Sequence, residues 1–276
     1  MDQLKLTTQA RDYYEGKRAD RNFQMSNDGI VNHHFGIGDF DRTKFPQSMS
    51  QEEITRELHR LELAQIDSLL GMMKVTPQQR ILDAGCGRGG TGITLAKRTG
   101  AEVKGVTISP YQANFANDTV RKFQESGQPL NATFISGDYL KLEEPSEAFD
   151  QVITNESTMY ASRLYELFSE LRRVTKEGGT YTLATWCIND DLANTEELSE
   201  AVDTHYAGKV HTKTEYLSAL EGAGFRITKL VDATDSAIPY WELRSIWEHA
   251  SGIEKPFLDG HRNRKMLYLF IQSQAV

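Results

Sequence analysis

The run Ile81-Leu82-Asp83-Ala84-Gly85-Cys86-Gly87-Arg88-Gly89-Gly90 restricts the fold more than any other stretch of the chain. A short apolar segment leads straight into four glycines, and a helical pattern follows over 91–98. Glycines at a strand–helix turn let the backbone approach a ligand closely. The helix N-terminus behind them adds N–H donors and the positive end of a dipole. A tight turn with no ligand fits the same letters, so its surroundings have to decide.

Those surroundings alternate. Apolar runs fall at 80–84, 102–107, 132–136, 151–154, 180–185, 226–231 and 267–271, with helical stretches between most of them. Strand alternating with helix predicts an α/β fold with a parallel-rich sheet and helices on both faces. The spacing of Ile54, Leu58, Leu61, Leu63, Ile66, Leu69 and Leu70 predicts a helix over 51–71. Ser50 and Glu53 read as its capping box and Gly71 as its stop. Two segments break the rhythm: 188–210 is polar and irregular, and 238–264 separates the last two strands. Insertions after strand ends are where α/β proteins build covers over their sites. The expected division is a lid over 1–50, a core over 51–187, a cap over 188–215 and core completion over 216–276, with a second insertion near 238–264.

Composition narrows the partners. Formal net charge is −8 over 276 residues, which makes nucleic acid a poor partner because phosphate binding needs a basic footprint. An anionic small molecule would need placed Arg or Lys side chains, or a metal ion. No apolar run approaches the ~18 residues of a membrane span. Residues 1–14 carry no apolar signal core, and there are two cysteines, Cys86 and Cys187. A cytoplasmic protein without disulfides is expected.

Asp83 sits just inside the first strand end, and the third strand runs into Gly137-Asp138. A dinucleotide dehydrogenase places an acidic residue about 20 residues beyond its glycines. Here the second strand ends in hydroxyls, Thr107-Ile108-Ser109, which weakens that reading. Leu82 to Gly87 resembles the first motif of the class I S-adenosylmethionine-dependent methyltransferases. Gly105 to Ser109, with Gln112, resembles the second motif of their sterol and cyclopropane-fatty-acid branch. The resemblance implies a Rossmann-like, seven-stranded class I fold with an N-terminal helical lid and inserted caps. It also implies roles. Gly85 and Gly87 lie against the methionine part of S-adenosylmethionine. Thr107 and Gln112 contact the ribose, Ile108 packs on adenine, and Asp138 accepts from its amino group with Tyr139 beside it. Asp83 and Asn155 are grouped with these. Tyr14, in Tyr13-Tyr14, resembles the tyrosine pair that closes over the cofactor.

A narrower resemblance spreads over nearly the whole chain. The string from Asp28 to Asp41 is similar to the N-terminal signature of the geranyl diphosphate C-methyltransferases, as are Glu57 to Glu62, Asn155 to Tyr160, Pro239 to Arg244 and Ser251 to Glu254. Asn32 and Phe35 depart from a family pattern that carries a third His and a Tyr. Such an enzyme moves a sulfonium methyl onto an alkene carbon and leaves a tertiary carbocation. The cation needs a dry pocket, π faces and one base. Phe35, Tyr160, Trp186, Tyr206 and Trp241 are the aromatic candidates, and His33 and His34 fit three roles: hydrogen-bonding the diphosphate, serving as a base, or ordering the loop. The resemblance assigns the base to Glu170, in Leu167-Phe168-Ser169-Glu170; spacing alone reads it as a surface glutamate paired with Arg173 or Arg163. Mg²⁺ is implied, bound chiefly through diphosphate oxygens, and no protein ligand set is readable. The expected function is C-methylation of a prenyl diphosphate, foremost geranyl diphosphate, by a homo-oligomer. Alternatives are methylation of a prenyl side chain on a larger scaffold such as an indole alkaloid, with or without cyclisation, methylation of a sterol or lipid, and a non-catalytic cofactor-binding module.

Overall fold

The apolar segments become β1 (Arg80–Ala84), β2 (Glu102–Thr107), β3 (Ala132–Ser136), β4 (Phe149–Asn155), β5 (Thr175–Ile188), β6 (Phe225–Asp232) and β7 (Met266–Ala275). In the computed structural model, which describes residues 2–16, 29–46 and 48–276, they pair in the order β3-β2-β1-β4-β5-β7-β6. All neighbours are parallel except β7, which runs antiparallel between β5 and β6. Strand order reverses at β1, where Ile81 pairs with Val103 on one side and Gln151 on the other. A crevice opens beyond the carboxyl ends of the strands at such a reversal, and the glycine-rich turn lies there.

The helices are α1 (Gln3–Gly16), α2 (Gln51–Met73), α3 (Gly90–Thr99), α4 (Pro110–Glu125), α5 (Leu164–Val174), α6 (Glu196–Tyr206), α7 (Lys213–Gly222), α8 (Thr234–Ile246) and α9 (Glu254–Arg262). Short 3-10 turns occupy Arg42–Lys44 and Thr158–Tyr160. The α2 capping box has both of its bonds. The helix does not stop at Gly71. Met72 and Met73 are buried and carry it one half-turn further, and Lys74 closes it at φ +50°. The stretch expected to be irregular holds α6, whose only fully buried residue is Val202; a helix with one point in the core reads as polar throughout. The second interruption folds as α8 and α9, which bury Tyr240, Trp241, Leu243 and Phe257.

Two apolar cores flank the sheet. One joins α2, α8 and α9 to the sheet through Leu58, Leu61, Trp186, Trp241, Phe257 and Tyr268. The other packs α5 and α7 on the sheet through Leu167, Phe168, Leu171, Tyr181 and Leu220. No helix among the described residues is long and apolar enough to cross a membrane. Asp28, which begins the N-terminal signature, and the stretch 17–28 of the expected lid lie outside the described residues.

The capping box supplies a stability test. Ser50→Ala removes an oxygen that accepts from the Glu53 amide and is expected to cost about 1 kcal/mol in urea unfolding, with catalytic turnover unchanged.

Candidate active site

Beyond β1 the chain turns through Gly85, Gly87 and Gly89, at φ +82°, +54° and +83°. The amides of Gly85 and Cys86 both donate to the Val106 carbonyl, at 2.8 and 3.0 Å, which ties the turn to β2. A Cβ on Gly85 would stand 2.4 Å from the Ser157 Cβ. Only glycine therefore serves there, on backbone angle and on space. The turn walls a first cavity with Tyr14, Asp83, Gly85, Gly87, Thr107, Ile108, Gln112, Asp138, Tyr139 and Asn155, so the structure gathers all ten expected cofactor residues.

Its polar groups are set before any ligand arrives. Ser109 caps α4, its Oγ accepting from the Gln112 amide at 3.1 Å. Thr107 Oγ1 donates to Gln112 Oε1 at 2.7 Å. Tyr139 donates to the Ser157 carbonyl at 2.9 Å, and Asp138 Oδ1 accepts from the Leu140 amide at 2.9 Å. Asp83 is different. Burial pushes its carboxyl up to about 7, against one amide bond from Gly92. Its Oδ2 has no hydrogen-bond partner among the described residues. A buried carboxylate oxygen in that condition calls for a cationic or donor-rich ligand group.

A second cavity adjoins the first and shares Tyr14, His33, His34 and Glu156 with it. Phe35, Trp186, Tyr206, Tyr240, Trp241 and Arg244 add to its wall. Phe35 is the hub: its ring stacks 6.3 Å from Trp186 and stands edge-on 4.5 Å from Trp241. The loop reaches this depth because Gly36 has no side chain; a Cβ there would meet Leu61 and Tyr240 at 2.5 and 2.6 Å. His34 is buried, and desolvation lowers it to about 4, so its ring is neutral near pH 7. Its Nδ1 stands 2.9 Å from the Phe35 carbonyl.

Tyr160, expected at the substrate pocket, lines the first cavity instead. It donates to the Tyr206 carbonyl at 3.1 Å, so the Tyr14 hydroxyl, 2.9 Å away, is the donor to Tyr160.

Glu170 is the main correction. It lines neither cavity. Its carboxylate accepts from Arg173 at 2.7 and 2.8 Å and from the Leu142 amide at 2.7 Å. The Arg173 guanidinium holds it below the usual carboxylate range. It flanks the buried stripe of α5, but on the side facing the segment after β3. The surface ion pair that its spacing also allowed is what forms.

The carboxylate common to both cavities is Glu156, one residue past β4, at φ +51°. Its amide donates to the Ala184 carbonyl at 2.9 Å, and its Oε1 accepts from the Phe35 amide at 2.8 Å and from Tyr268 at 2.5 Å. Burial pushes it up to about 8, and those two bonds work in the opposite direction. A non-glycine residue held in the left-handed region beside a cavity is strained backbone at a site. Sequence reasoning passed over Glu156 although the string Asn155 to Tyr160 contains it. Its one signal was its place just past a central strand.

Arg244 brings positive charge to the second cavity. Its Nη2 reaches Glu254 at 3.3 Å and its guanidinium covers Trp247. Nε has no partner among the described residues. Glu254 is already occupied by the amides of Ser251 and Gly252, each at 2.7 Å. Elsewhere Glu242 bridges Arg42 and Arg262, at 2.6 Å each. Among the described residues, no three His, Cys, Asp or Glu side chains converge to hold a metal ion.

The sheet order and the glycine turn over a cavity define the chain as a class I S-adenosylmethionine-dependent methyltransferase. Residues 81–179 match the methyltransferase domain family. The chain is 35% identical over 252 residues to a geranyl diphosphate 2-C-methyltransferase of Saccharopolyspora erythraea, spanning 90% of this chain and 87% of that one. It is 34% identical over 260 residues to the Streptomyces coelicolor protein of the same name, spanning 90% and 85%. A crystal structure of the Streptomyces coelicolor geranyl diphosphate C-methyltransferase in complex with Mg²⁺, geranyl diphosphate and S-adenosyl-L-homocysteine matches with a TM-score of 0.90. Identity there is 31%, over 98% of both chains. The chain belongs to the geranyl diphosphate 2-C-methyltransferase family.

The two glutamates separate cleanly by experiment. Glu170→Gln is expected to hold turnover within about twofold and to lose at most about 1 kcal/mol of stability, because its ion pair is partly solvated. Glu156→Gln is expected to lower turnover at least about 100-fold while S-adenosylmethionine still binds. Steady-state assays and calorimetric titration read both.

Proposed function

We propose that this chain transfers a methyl group from S-adenosylmethionine to an alkene carbon of geranyl diphosphate and that Glu156 takes a proton from the resulting carbocation. The observation that carries the reading is the placement of one buried carboxylate where a polar cofactor cavity meets an aromatic one. When bound, S-adenosylmethionine supplies an electrophilic methyl on a sulfonium. Asp83 Oδ2 would meet its ammonium group, Gly85 would leave room for the methionine chain, Thr107 and Gln112 would hold the ribose, and Asp138 would hold the adenine. Tyr14 covers that cavity. An alkene is a weak nucleophile, so holding it in line with the methyl supplies much of the acceleration. The rings of Phe35, Trp186 and Trp241 exclude water and offer π faces to positive charge. Glu156 then accepts the proton through the carboxylate that the Phe35 amide and Tyr268 hold in place.

Arg244 suits the diphosphate end, since its Nε is buried and unsatisfied and its acidic neighbour is largely occupied. Mg²⁺, which the Streptomyces coelicolor complex contains, would neutralise the diphosphate. A prenyl group on a larger uncharged scaffold fits less well, because it would leave the buried Arg244 Nε without an acceptor. Cytoplasmic location belongs to the same proposal, supported by two free, buried cysteines, and so does self-association, which sedimentation would read.

Two outcomes are expected. Incubated with methyl-labelled S-adenosylmethionine and Mg²⁺, the protein should label geranyl diphosphate in preference to isopentenyl or farnesyl diphosphate, and a chelator should stop it. If none of the three takes up label, the substrate is not a diphosphate of this series. The base must be ionised to act. Its free-enzyme value of about 8 therefore implies that kcat/KM falls as pH drops, about tenfold per unit below the pKa. A bound sulfonium favours the ionised form and moves that limb to lower pH. A profile measured from pH 6 to 9 at saturating cofactor checks the direction.

A further inference from the structure

We propose that Tyr268, oriented by Gln65, is a positioning residue for the base. The pair forms the inner end of a hydrogen-bonded chain that runs from the cofactor cavity to Glu156. The proposal rests on Glu156 being the base.

The donors and acceptors can be counted along that chain. Asn155 Nδ2 donates to Thr91 Oγ1 at 3.0 Å and to Gln65 Oε1 at 3.2 Å. Both of its protons are then used. Gln65 Nε2 donates to Asn155 Oδ1 at 2.8 Å and to the Tyr268 hydroxyl at 2.9 Å, which uses both of its protons too. The two amides thus fix each other's orientation. Because Tyr268 Oη accepts from Gln65, its single proton is free to go elsewhere, and it goes to Glu156 Oε1 at 2.5 Å. The Phe35 amide donates to that same oxygen. Oε1 is held by two donors, and the Trp186 side chain adds a further bond to the carboxylate. Tyr268 is fully buried on β7 and Gln65 on α2, so water does not replace either. In so dry a place a lost donor is not made good, and the carboxylate it served binds its proton more tightly.

The chain begins in the cofactor cavity, since Thr91 and Asn155 line it. The residues that meet the cofactor and the residue that removes the proton therefore belong to one rigid polar unit. Other titratable or charged groups near Glu156 are Glu62 of α2, His34 of the loop, Tyr206 of α6, and Tyr240 and Arg244 of α8. Glu62 is itself raised by burial and accepts from Tyr240 at 3.1 Å. None of them bonds Tyr268, so a difference between variant and wild type reads the Tyr268 bond alone.

The test is the pH profile of single-turnover methylation of geranyl diphosphate, with S-adenosylmethionine and Mg²⁺ saturating. Tyr268→Phe should move the acid limb up by about one pH unit, about a tenfold loss at low pH. At high pH its rate should recover to within a few-fold of wild type, and cofactor affinity should stay within about twofold. Gln65→Met, which frees the Tyr268 proton to turn away, should move the limb in the same direction by less. It stands in if Tyr268→Phe does not fold. An equal loss at every pH, or an unmoved limb, overturns the proposal. Glu156→Gln in parallel separates the two readings. If it turns over normally, the base assignment falls and this proposal with it. If it is inactive while the Tyr268→Phe limb stays put, only this proposal falls.

Discussion

The arrangement of this protein depends on keeping one carboxyl group out of water with neutral donors alone. Glu156 lies at the meeting of two cavities, and its closest partners are an amide and a phenol rather than a cation. A salt bridge would have held it more firmly, but it would also have quenched its basicity, as Arg173 does to Glu170. Much of the fold can be read as support for that choice. Tyr268 arrives from β7, the antiparallel strand next to β5. Phe35 arrives from the N-terminal loop, which threads against α2 because Gly36 lets it. Gln65 arrives from α2. Two distant parts of the chain meet on one oxygen, and a third orients one of them.

Positive charge follows the same logic of placement. The total of −8 describes a surface, and it coexists with a buried arginine at the second cavity. Arg42 and Arg262 are both bound to Glu242, whereas the acid beside Arg244 is occupied by backbone amides. Cations of equal formal charge thus differ in what they can still bind, and net charge cannot see that difference.

Much of the fold was legible because it is periodic. The first three strands fall where their apolar runs end, and the capping box of α2 is local chemistry. The ten residues that line the first cavity were legible as well, since all but Tyr14 lie at or just past strand ends whose glycines and hydroxyls stand close in sequence. The covers were harder. A helix such as α6, anchored at Val202 alone, leaves no apolar stripe to count. The two glutamates show where reading along the chain fails. Glu170 sits beside an apolar stripe, and only the path of the segment after β3 reveals that the loop, with Leu142, turns it away from the cavities. Glu156 carries no periodic mark. What distinguishes it is who donates to it, and those donors lie 121 and 112 residues away.

One detail of the cover joins the two cavities. Tyr14 of α1 donates to Tyr160, and Tyr160 donates to the last carbonyl of α6. The first residue lines both cavities, and the last carries a ring that walls the aromatic one. The two cavities share one hydrogen-bonded seam, and the last turn of α6 takes its position from the N-terminal helix.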